Sequence, residues 1–427
     1  VTTNEDGNFS IHKPARSHML VVSFIGFEND TIHVDKGNQQ LDIVLREGVE
    51  LSEVNVVTRK LGTMKLRTSV MNEDMISSAE LTRAACCNLG ESFVTNPSVD
   101  VSYSDAATGA KQIKLLGLSG TYVQMMTENI PNFRGAAAPY GLGYVPGPWM
   151  QSIQVSKGSS SVKNGYESIT GQINVEFKKP QLPEADWVSA NLFASSTNRY
   201  EANADATVKL SKRWSTSLLA HYENETKSHD SNDDGFVDIP RVEQYNVWNR
   251  WAYMGDHYVF QAGIKALHET RNSGQIAHGN TPSHDLYEIG IKTNRYEAFT
   301  KNAYIFDKEK NTNLALILQG TLHNQDANYG RKLYDVDQSN FYASLLFETE
   351  LSKQHSLSAG LSFNYDGYDQ NYRLTNQAEE GLTKKFVKES VPGAYVQYTF
   401  NLNDQLMLMG GIRGDYSSEY GFFVTPR

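Results

Sequence analysis

The chain has 427 residues, 39% of them hydrophobic and 21% charged, which is an ordinary composition for a folded protein of more than one domain. Its 23 tyrosines and 32 glycines, against only 12 prolines, favour strands and turns over a helical bundle. The net charge of −10, with lysines and arginines scattered among acids, excludes a nucleic-acid-binding surface.

Residues 1–47 contain short alternating runs separated by Gly, Asn and Pro, a pattern typical of a small β-sandwich. The turn residues Asp6 and Gly7 stand close to the first residue, so we expect the first strands of this sandwich to be missing. Residues 48–76 begin with VELSEVNVVTRK and continue without a clear period, which predicts a linker or an exposed strand. No run of about 18 apolar residues predicts a transmembrane helix.

Residues 77–182 show a mixed α/β pattern. Ser77 stands three residues before Glu80, which is the spacing of a capping box and predicts a helix in SSAELTRAA. NLGESFVTNP predicts a second short helix that ends near Pro97. Strand-like runs follow, among them KQIKLLG, TYVQMMT, MQSIQVSKG and GQINVEF.

Residues 183–427 consist of strands with one apolar and one polar face. In LSAGLSFNY, alternate residues from Leu357 to Tyr365 are apolar or small, whereas those from Ser358 to Asn364 are polar or glycine. AYVQYTFNL and YVFQAGIKA repeat this alternation. The polar face holds Ser, Asn, Gln, Thr and Gly with few charges, which suits a wet lumen better than the surface of a soluble sandwich.

The connections between these strands also favour a membrane barrel. Short connections such as LSKRW and LSKQH alternate with long polar ones, as in outer-membrane barrels, where tight turns and long loops lie at opposite ends. The long loops are predicted at residues 227–240, 271–286, 327–338 and 371–389. About eleven strands are expected, with a twelfth cut off at FFVTPR. The predicted fold class is mainly β: a partial transmembrane antiparallel β-barrel, preceded by an α/β domain and a small N-terminal β-sandwich remnant.

Three stretches between residues 81 and 180 resemble the plug domain of TonB-dependent outer-membrane receptors. They are NLGESFVTNPSVDV, IKLLGLSGTYVQMMTENIP and WMQSIQVSKGSSSVKNGYESITGQINVEFKKP. The third match is the most specific and includes Gly158, Gly165, Tyr166, Gly171, Ile173 and Asn174. GNFSI and VSFIGFE resemble the carboxypeptidase-regulatory-like domain that precedes the plug in Bacteroidetes-type receptors.

The resemblance departs from the family pattern at two turns. Glu128 and Asn129 replace the usual Asp-Gly before Pro131; because Asn tolerates the left-handed conformation, we expect this turn to survive. Ser98 replaces a usual Gly after Pro97. Barrels of this family have about 22 strands, so the resemblance implies that roughly half of the barrel is missing.

The resemblance implies a domain order, a location and a partner. The order is a truncated carboxypeptidase-regulatory-like β-sandwich (1–47), a TonB-box region and linker (48–76), a plug (77–182) and the first half of a transmembrane barrel (183–427). The expected location is the outer membrane of a Gram-negative bacterium, in contact with its lipid. The TonB complex of the inner membrane would pair with an extended box, Glu53, Val54, Asn55, Val56 and Val57. The alternative is that this run is the last strand of the preceding domain.

A stretch rich in Gly, Pro and small residues, NFRGAAAPYGLGYVPGP, is too irregular for a strand. By resemblance it forms the plug apex, where Phe133, Arg134, Tyr140 and Tyr144 would contact a ligand. The aromatic rings would supply contact area, and Arg134 would meet an anionic group. The alternative is a plain connecting loop whose aromatic residues pack on the barrel wall.

HDSNDDGFVDIP presents side-chain oxygens at the alternate spacing of a calcium loop, on Asp230, Asn232, Asp234 and Asp238, with Gly235 for the sharp turn. It is not an EF-hand, because Arg241 stands where the closing Glu would be. The strand count assigns this segment to an extracellular loop. A structural calcium ion is therefore predicted, and the alternative is a solvated acidic loop.

Cys86 and Cys87 are the only cysteines and are adjacent in the chain. Three explanations remain open: small apolar packing residues, a redox pair that forms a vicinal disulfide at a turn, or soft-metal ligands. In the third case, Met125 and Met126 of the same domain would supply thioethers.

The sequence contains no catalytic motif such as GxSxG, a Walker loop or HExxH, so we expect no enzyme and no required cofactor. The predicted function is energised import of a metal or a small metal chelate, such as an iron-siderophore, haem, cobalamin or copper. The alternatives are a receptor for a glycan or peptide, a passive porin or adhesin, and a soluble β-sandwich protein. Fold alone does not decide among these ligands.

Overall fold

The computed structural model describes residues 9–11, 19–22, 30–33, 41, 43, 63–65, 72–83, 87–93, 96, 99–180, 187–276, 286–376, 381–402 and 406–427. The chain divides into two units, Val1–Arg59 and Lys60–Arg427. In the first unit, β1 (Met19–Val22) and β2 (Asp30–His33) form an antiparallel pair in which Met19 stands opposite His33.

The second unit begins with a mixed α/β region, residues 63–180, that we call the plug. Its elements are β3 (Thr63–Lys65), β4 (Asn72–Ser77), α1 (Ser78–Arg83), β5 (Asp100–Asp105), β6 (Ala110–Lys114), β7 (Val123–Thr127), β8 (Ile130–Pro131), β9 (Met150–Lys157) and β10 (Gly171–Phe177). Six strands form one sheet in the order β3-β4-β9-β10-β7-β8, and β5 and β6 form a separate hairpin. Every residue of β10 is buried because this strand lies between β9 and β7 in the sheet.

The plug sheet extends further toward the N-terminus than the sequence pattern indicated. The predicted linker runs to residue 76, yet β4 pairs with β9 from Asn72 to Ser77. Main-chain pairing holds this strand although its side chains follow no regular apolar pattern. The predicted first helix is present as α1, whereas Leu89–Glu91 forms only a single 3-10 turn, closed by the Asn88 side chain, which accepts a hydrogen bond from Glu91 N.

Residues 187–427 contain a twelve-stranded antiparallel sheet that we call the barrel wall. Its strands are β11 (Val188–Ala194), β12 (Arg199–Lys209), β13 (Trp214–Glu225), β14 (Arg241–Met254), β15 (Tyr258–Gly274), β16 (Glu288–Asp307), β17 (Thr312–Tyr329), β18 (Lys332–Ser352), β19 (His355–Arg373), β20 (Thr383–Leu402), β21 (Leu406–Ser417) and β22 (Gly421–Pro426). Each strand pairs with the next along the chain, and over the described residues β11 and β22 are not paired with each other. The predicted partial antiparallel barrel of about half of 22 strands is confirmed.

The two faces of the wall are inverted relative to a soluble sandwich. In β14, Gln244 and Asn246 are fully buried, whereas Tyr245 and Val247 between them are 49% and 45% exposed. The apolar side chains thus point outward and the polar ones inward, as in a sheet that faces lipid on the outside and polar groups inside. This arrangement excludes the soluble β-sandwich.

Two of the predicted long loops are shorter than expected. The predicted loop 327–338 is wrong, because β17 runs to Tyr329 and β18 begins at Lys332, which leaves a two-residue turn. Gly330 adopts φ 59°, as a tight hairpin turn requires. β19 runs to Arg373 and β20 begins at Thr383, so strand residues occupy both ends of the predicted loop 371–389. Ladder hydrogen bonds do not depend on side-chain polarity, so strands continue through segments that read as polar loops.

The plug packs against the inner face of the wall. One buried cluster joins plug residues Tyr144, Trp149 and Phe177 to wall residues Trp248 and Leu267. β13 and β15 end, and β14 and β16 begin, at the same end of the wall, which we call the loop end. Within the described residues, no helix is long and apolar enough to cross a membrane.

Candidate functional site

A cavity of about 410 Å³ lies between the plug apex and the loop end of the wall. The plug contributes one side of it and strands β17 to β20 the other. The lining residues are Gly135, Ala136, Pro139, Tyr140, Gln325, Tyr329, Tyr334, Tyr368, Gln370 and Val387. None of these carries a formal charge, so this cavity offers aromatic surface and hydrogen-bonding groups to a ligand.

The floor of the cavity is fixed where the apex meets β18 and β19. Ala136 N donates to Gln338 Oε1 at 3.1 Å, and Gln338 Nε2 donates to the hydroxyl of Tyr368 at 3.3 Å. On the wall, the Tyr334 hydroxyl donates to Gln370 Oε1 at 3.1 Å. These bonds orient two tyrosine rings of the lining before any ligand arrives.

Arg134 does not line the cavity but lies beside it in a pair of salt bridges. Its guanidinium is 2.5 Å from Glu167 Oε1 within the plug and 3.1 Å from Asp366 Oδ2 on β19. Burial opposes its charge, but the two carboxylates outweigh burial and raise the pKa of Arg134. The side chain thus fastens the apex to the wall, and both of its forks are engaged by carboxylates.

The three predicted aromatic residues occupy different positions. Tyr140 lines the cavity, and its ring lies 4.9 Å from the guanidinium carbon of Arg271. Phe133 and Tyr144 are buried, and the Tyr144 main-chain oxygen accepts hydrogen bonds from Lys265 Nζ and Asn246 Nδ2. Burial also raises the pKa of Tyr144. Ligand contact by Phe133, Arg134, Tyr140 and Tyr144 stays a prediction; Tyr140 alone of the four lines the cavity here.

Sequence reasoning missed the barrel half of the lining: Gln325, Tyr329, Tyr334, Tyr368, Gln370 and Val387. These residues lie on four different strands, so only the sheet register brings them together. Two of them, Tyr329 and Tyr334, fell inside or beside the predicted loop 327–338. A tyrosine on the otherwise polar face of a strand was the signal that could have identified this group.

Further ion pairs join plug to wall below the cavity. Arg199 of β12 reaches Glu91 of the plug at 2.9 Å, and Lys163 of the plug lies 3.3 Å from Glu348 on β18. Lys178 lies 2.8 Å from Asp205 on β12. Each pair is partly shielded from water, so separating the plug from the wall requires that several charges find new partners.

The side chains of the predicted calcium residues form hydrogen bonds within their own loop. Asp230 accepts hydrogen bonds from the main-chain N of Asp234 and Gly235, and Asp234 Oδ1 accepts from Phe236 N. Asp238 Oδ2 accepts from Ser231 N at 2.7 Å, and this bond lowers the pKa of Asp238. Asn232 exchanges hydrogen bonds with Asp234. Nowhere in the described ranges is a group of three or more His, Cys, Asp or Glu placed to hold a metal ion, so calcium stays a prediction.

Of the soft-metal candidates, Cys87 is buried beside Glu91 of the plug, and its main-chain N donates to Glu91 Oε2 at 3.2 Å. Burial raises the pKa of the Cys87 thiol, and the negative charge of Glu201 adds to this effect. Met125 and Met126 lie on β7, opposite Ile173 and Asn174 of β10. Cys86 lies outside the described residues, as do Glu53, Val54, Asn55, Val56 and Val57 of the predicted box.

Two sequence families match parts of the chain. The CarboxypepD_reg-like domain matches residues 1–57, and the TonB-dependent Receptor Plug Domain matches residues 65–172. The predicted presence of these two domain families is thereby confirmed, while their predicted boundaries stay predictions. No curated protein is similar enough in sequence to be matched to this chain.

Solved structures show the same fold at low identity. The alcaligin outer-membrane receptor FauA from Bordetella pertussis has a TM-score of 0.66 and 14% identity, over 85% of this chain and 62% of its own. The ferripyoverdine receptor of the outer membrane of Pseudomonas aeruginosa, bound to ferripyoverdine, has a TM-score of 0.65 and 15% identity, over 86% of this chain and 55% of its own. The copper transporter OprC has a TM-score of 0.66 and 12% identity, over 83% of this chain and 57% of its own.

This chain therefore spans between 55% and 62% of the length of these three structures. At 12 to 15% identity the likeness shows the fold alone. Homologous TonB-dependent receptors are Gram-negative outer-membrane proteins, so the predicted location is confirmed. The matched domains are those of a transporter-type receptor and not of an enzyme family.

Proposed function

We propose that this chain, which carries the plug domain and the fold of TonB-dependent receptors, belongs to an outer-membrane receptor for the energised import of a small metal chelate. The observation that carries the proposal is the cavity of about 410 Å³ between the plug apex and the loop end of the wall. Its size is within the range of small-molecule sites, about 300 to 1,000 Å³. Tyr140 and three wall tyrosines supply the contact area.

The aromatic and amide lining suits the organic shell of a chelate better than a bare ion. Tyrosine rings pack against flat or apolar groups, while the side chains of Gln325 and Gln370 bond to carbonyl and hydroxyl groups. The fold neighbours include an alcaligin receptor, a ferripyoverdine receptor and a copper transporter, and this supports a metal cargo. A glycan or a peptide would use the same kinds of contact and remains the alternative ligand class.

Import proceeds in two stages under this proposal. The ligand binds in the cavity while the plug is seated on the wall. The TonB complex then pairs with the predicted box, Glu53 to Val57, and pulls, so that the plug leaves its seat and the ligand passes. The plug-to-wall pairs of Arg134, Lys163 and Lys178 break and re-form in each cycle, and the many hydrogen bonds to water that replace them keep the net cost moderate.

The test compares binding with uptake in cells that express the full-length receptor, with radiolabelled ferric alcaligin, ferric pyoverdine and copper as probes. Val56→Pro removes a main-chain donor from the box and should abolish uptake of the bound probe while leaving its binding unchanged. Tyr334→Ala/Tyr368→Ala should weaken binding and uptake together. Uptake that survives Val56→Pro would favour a passive porin, and failure of every probe to bind would favour the glycan or peptide alternative.

A further inference from the structure

A buried carboxylate of the plug lies among cations of the barrel wall. Glu128 forms the turn between β7 and β8, and its Oε1 is 2.6 Å from the guanidinium of Arg250 on β14. Lys301 Nζ on β16 lies 3.6 Å from Glu128 Oε2 and donates to the Glu128 main-chain oxygen at 2.8 Å. The side chains of Glu128 and Arg250 are 3% and 2% exposed, so this contact is almost dry.

Aromatic rings of the wall support the cations, and the plug adds one main-chain contact, since Arg250 Nη1 donates to the Lys178 oxygen at 2.7 Å. The Arg250 guanidinium carbon lies 4.5 Å from the ring of Trp248 and 5.9 Å from the ring of Phe299, and both rings belong to wall strands. Lys301 also lies 5.9 Å from the Phe299 ring. Because the two rings stay with the barrel, they keep the Arg250 guanidinium near this point when the β7–β8 turn withdraws.

The wall around Arg250 is short of negative charge. Lys265 and Arg295 share the carboxylate of Glu297, at 3.6 and 2.9 Å. The register places Arg295, Lys265, Arg250 and Lys301 on successive inward-facing levels of β14 to β16. Among the described salt bridges of these four cations, the carboxylates are those of Glu128 and Glu297.

Two details indicate an anion site more than an ordinary structural ion pair. Arg250 Nε is buried and has no acceptor within the described part of the chain, so the guanidinium has a donor to spare. Glu128 adopts φ 51°, a conformation that Gly and Asn favour, so a glutamate here is held against its backbone preference. A cavity of about 20 Å³ borders Glu128 on the side of Lys265 and Glu297 and leaves room for about one water molecule.

We propose that Arg250 and Lys301 form an anion-binding site of the barrel wall, which Glu128 fills while the plug is seated and which takes a carboxylate- or phosphate-bearing ligand once Glu128 withdraws. We place one further step in the proposed import cycle: an anionic group of the cargo binds this site after the cargo leaves the cavity. Only this step rests on the proposed function. The Glu128 carboxylate therefore occupies the site while the plug is seated and prevents a ligand anion from binding there.

The test replaces the tethered carboxylate with a free one. Glu128→Gly removes the side chain and relaxes the backbone at φ 51°, and acetate is the probe. In the full-length receptor purified in detergent, acetate at constant ionic strength should raise the midpoint of thermal unfolding of Glu128→Gly in a saturable way. A rise of about 2 °C above that given by chloride is expected.

Two matched variants decide whether the vacated site is responsible. Glu128→Gln fills the same space without charge, and Glu128→Gly/Arg250→Gln has the space but lacks the guanidinium, so neither should respond to acetate. An equal response in all three variants, or none in Glu128→Gly, overturns the anion site. If Glu128→Gly does not fold, Glu128→Ala takes its place in the same titration, with the same two outcomes.

Acetate binding in this titration needs neither the TonB complex nor import. An intact acetate response together with normal uptake after Val56→Pro would refute the import proposal and leave the anion site standing. If acetate gives no response while Val56→Pro abolishes uptake, the anion site is refuted and the import proposal stands.

Discussion

Gly135 lies where the plug apex packs closely against the barrel wall. It adopts φ 58°, and a Cβ atom at this position would lie 2.4 Å from the Tyr368 hydroxyl and 2.9 Å from Gln338 Nε2. Both neighbours are hydrogen-bonded parts of the cavity floor. A side chain at residue 135 therefore requires that the Tyr368 and Gln338 side chains shift or that the apex move away from β18 and β19.

We expect Gly135→Ala to weaken ligand binding about tenfold, because overpacking of this kind costs about 1 to 3 kcal/mol. Calorimetric titration of the purified receptor with its chelate measures the effect. Gly117→Ala is the matched control, since Gly117 also has a positive φ, 78°, but has no atom within 4 Å of the added Cβ. Equal losses in both variants would mean that backbone strain, and not the contact with Tyr368, is responsible.

Cys87 should react slowly with thiol reagents in the folded receptor. It is buried, and burial together with Glu201 raises the pKa of its thiol, so little thiolate is present at pH 7. In Cys86→Ser, maleimide should modify the remaining thiol much faster after unfolding in urea than before. Rapid modification of the folded protein would instead favour the redox or soft-metal alternatives, and Cys87→Ser reports the reactivity of Cys86 for comparison.

At the scale of elements, the loop 226–240 is where calcium would act. Main-chain N–H groups of the loop donate to the carboxylates of Asp230, Asp234 and Asp238, and these bonds stabilise the turn without a metal. Calcium would need these oxygens to turn inward together. Its binding would then order the loop further and reduce its access to proteases.

Millimolar calcium should slow trypsin cleavage after the exposed Lys227, and a chelator should restore it. Asp234→Ala should remove the calcium effect. Asp256→Ala, in an exposed turn at the opposite end of the wall, should not. Cleavage that is insensitive to calcium in the wild-type receptor would leave the solvated acidic loop as the correct interpretation.

The strands could be predicted from sequence because alternation is a local property. The alternation of LSAGLSFNY gave β19, and YVFQAGIKA gave the start of β15. The turn at Gly330 was missed because polar residues continue a ladder as well as apolar ones do. Its Gly and Pro residues marked the apex stretch as irregular, and the family resemblance implied that it forms the plug apex. Its partners Gln338, Asp366 and Tyr368 could not be identified, since only the register of β18 and β19 brings them there.

At the scale of the whole molecule, the plug and the wall share one buried interface. Apolar contacts around Trp149 and Trp248 hold its middle, and ion pairs such as Arg250 with Glu128 lie beside them. Separating the plug from the wall would therefore expose these apolar side chains and leave buried charges without their partners, so the seated plug is stable at rest.

The central claim is that import requires the plug to leave its seat on the wall, and a reversible tether tests it most directly. Val162 of the plug is buried against Gly411 on β21, where a Cβ atom would lie 2.6 Å from Val162 Cγ2 and 3.3 Å from Cγ1. Cysteines at these two positions are therefore close enough for a disulfide. The tether is built as Val162→Cys/Gly411→Cys in a Cys86→Ser/Cys87→Ser background.

The measurement is uptake of a bound radiolabelled chelate by cells that express this variant, before and after a reductant is added. The oxidised receptor should bind the chelate normally and import none, and the reductant should restore uptake to the level of the Cys86→Ser/Cys87→Ser parent. Equal uptake by the oxidised and the reduced receptor would contradict the account, because the cargo would then pass while the plug stays fastened to the wall.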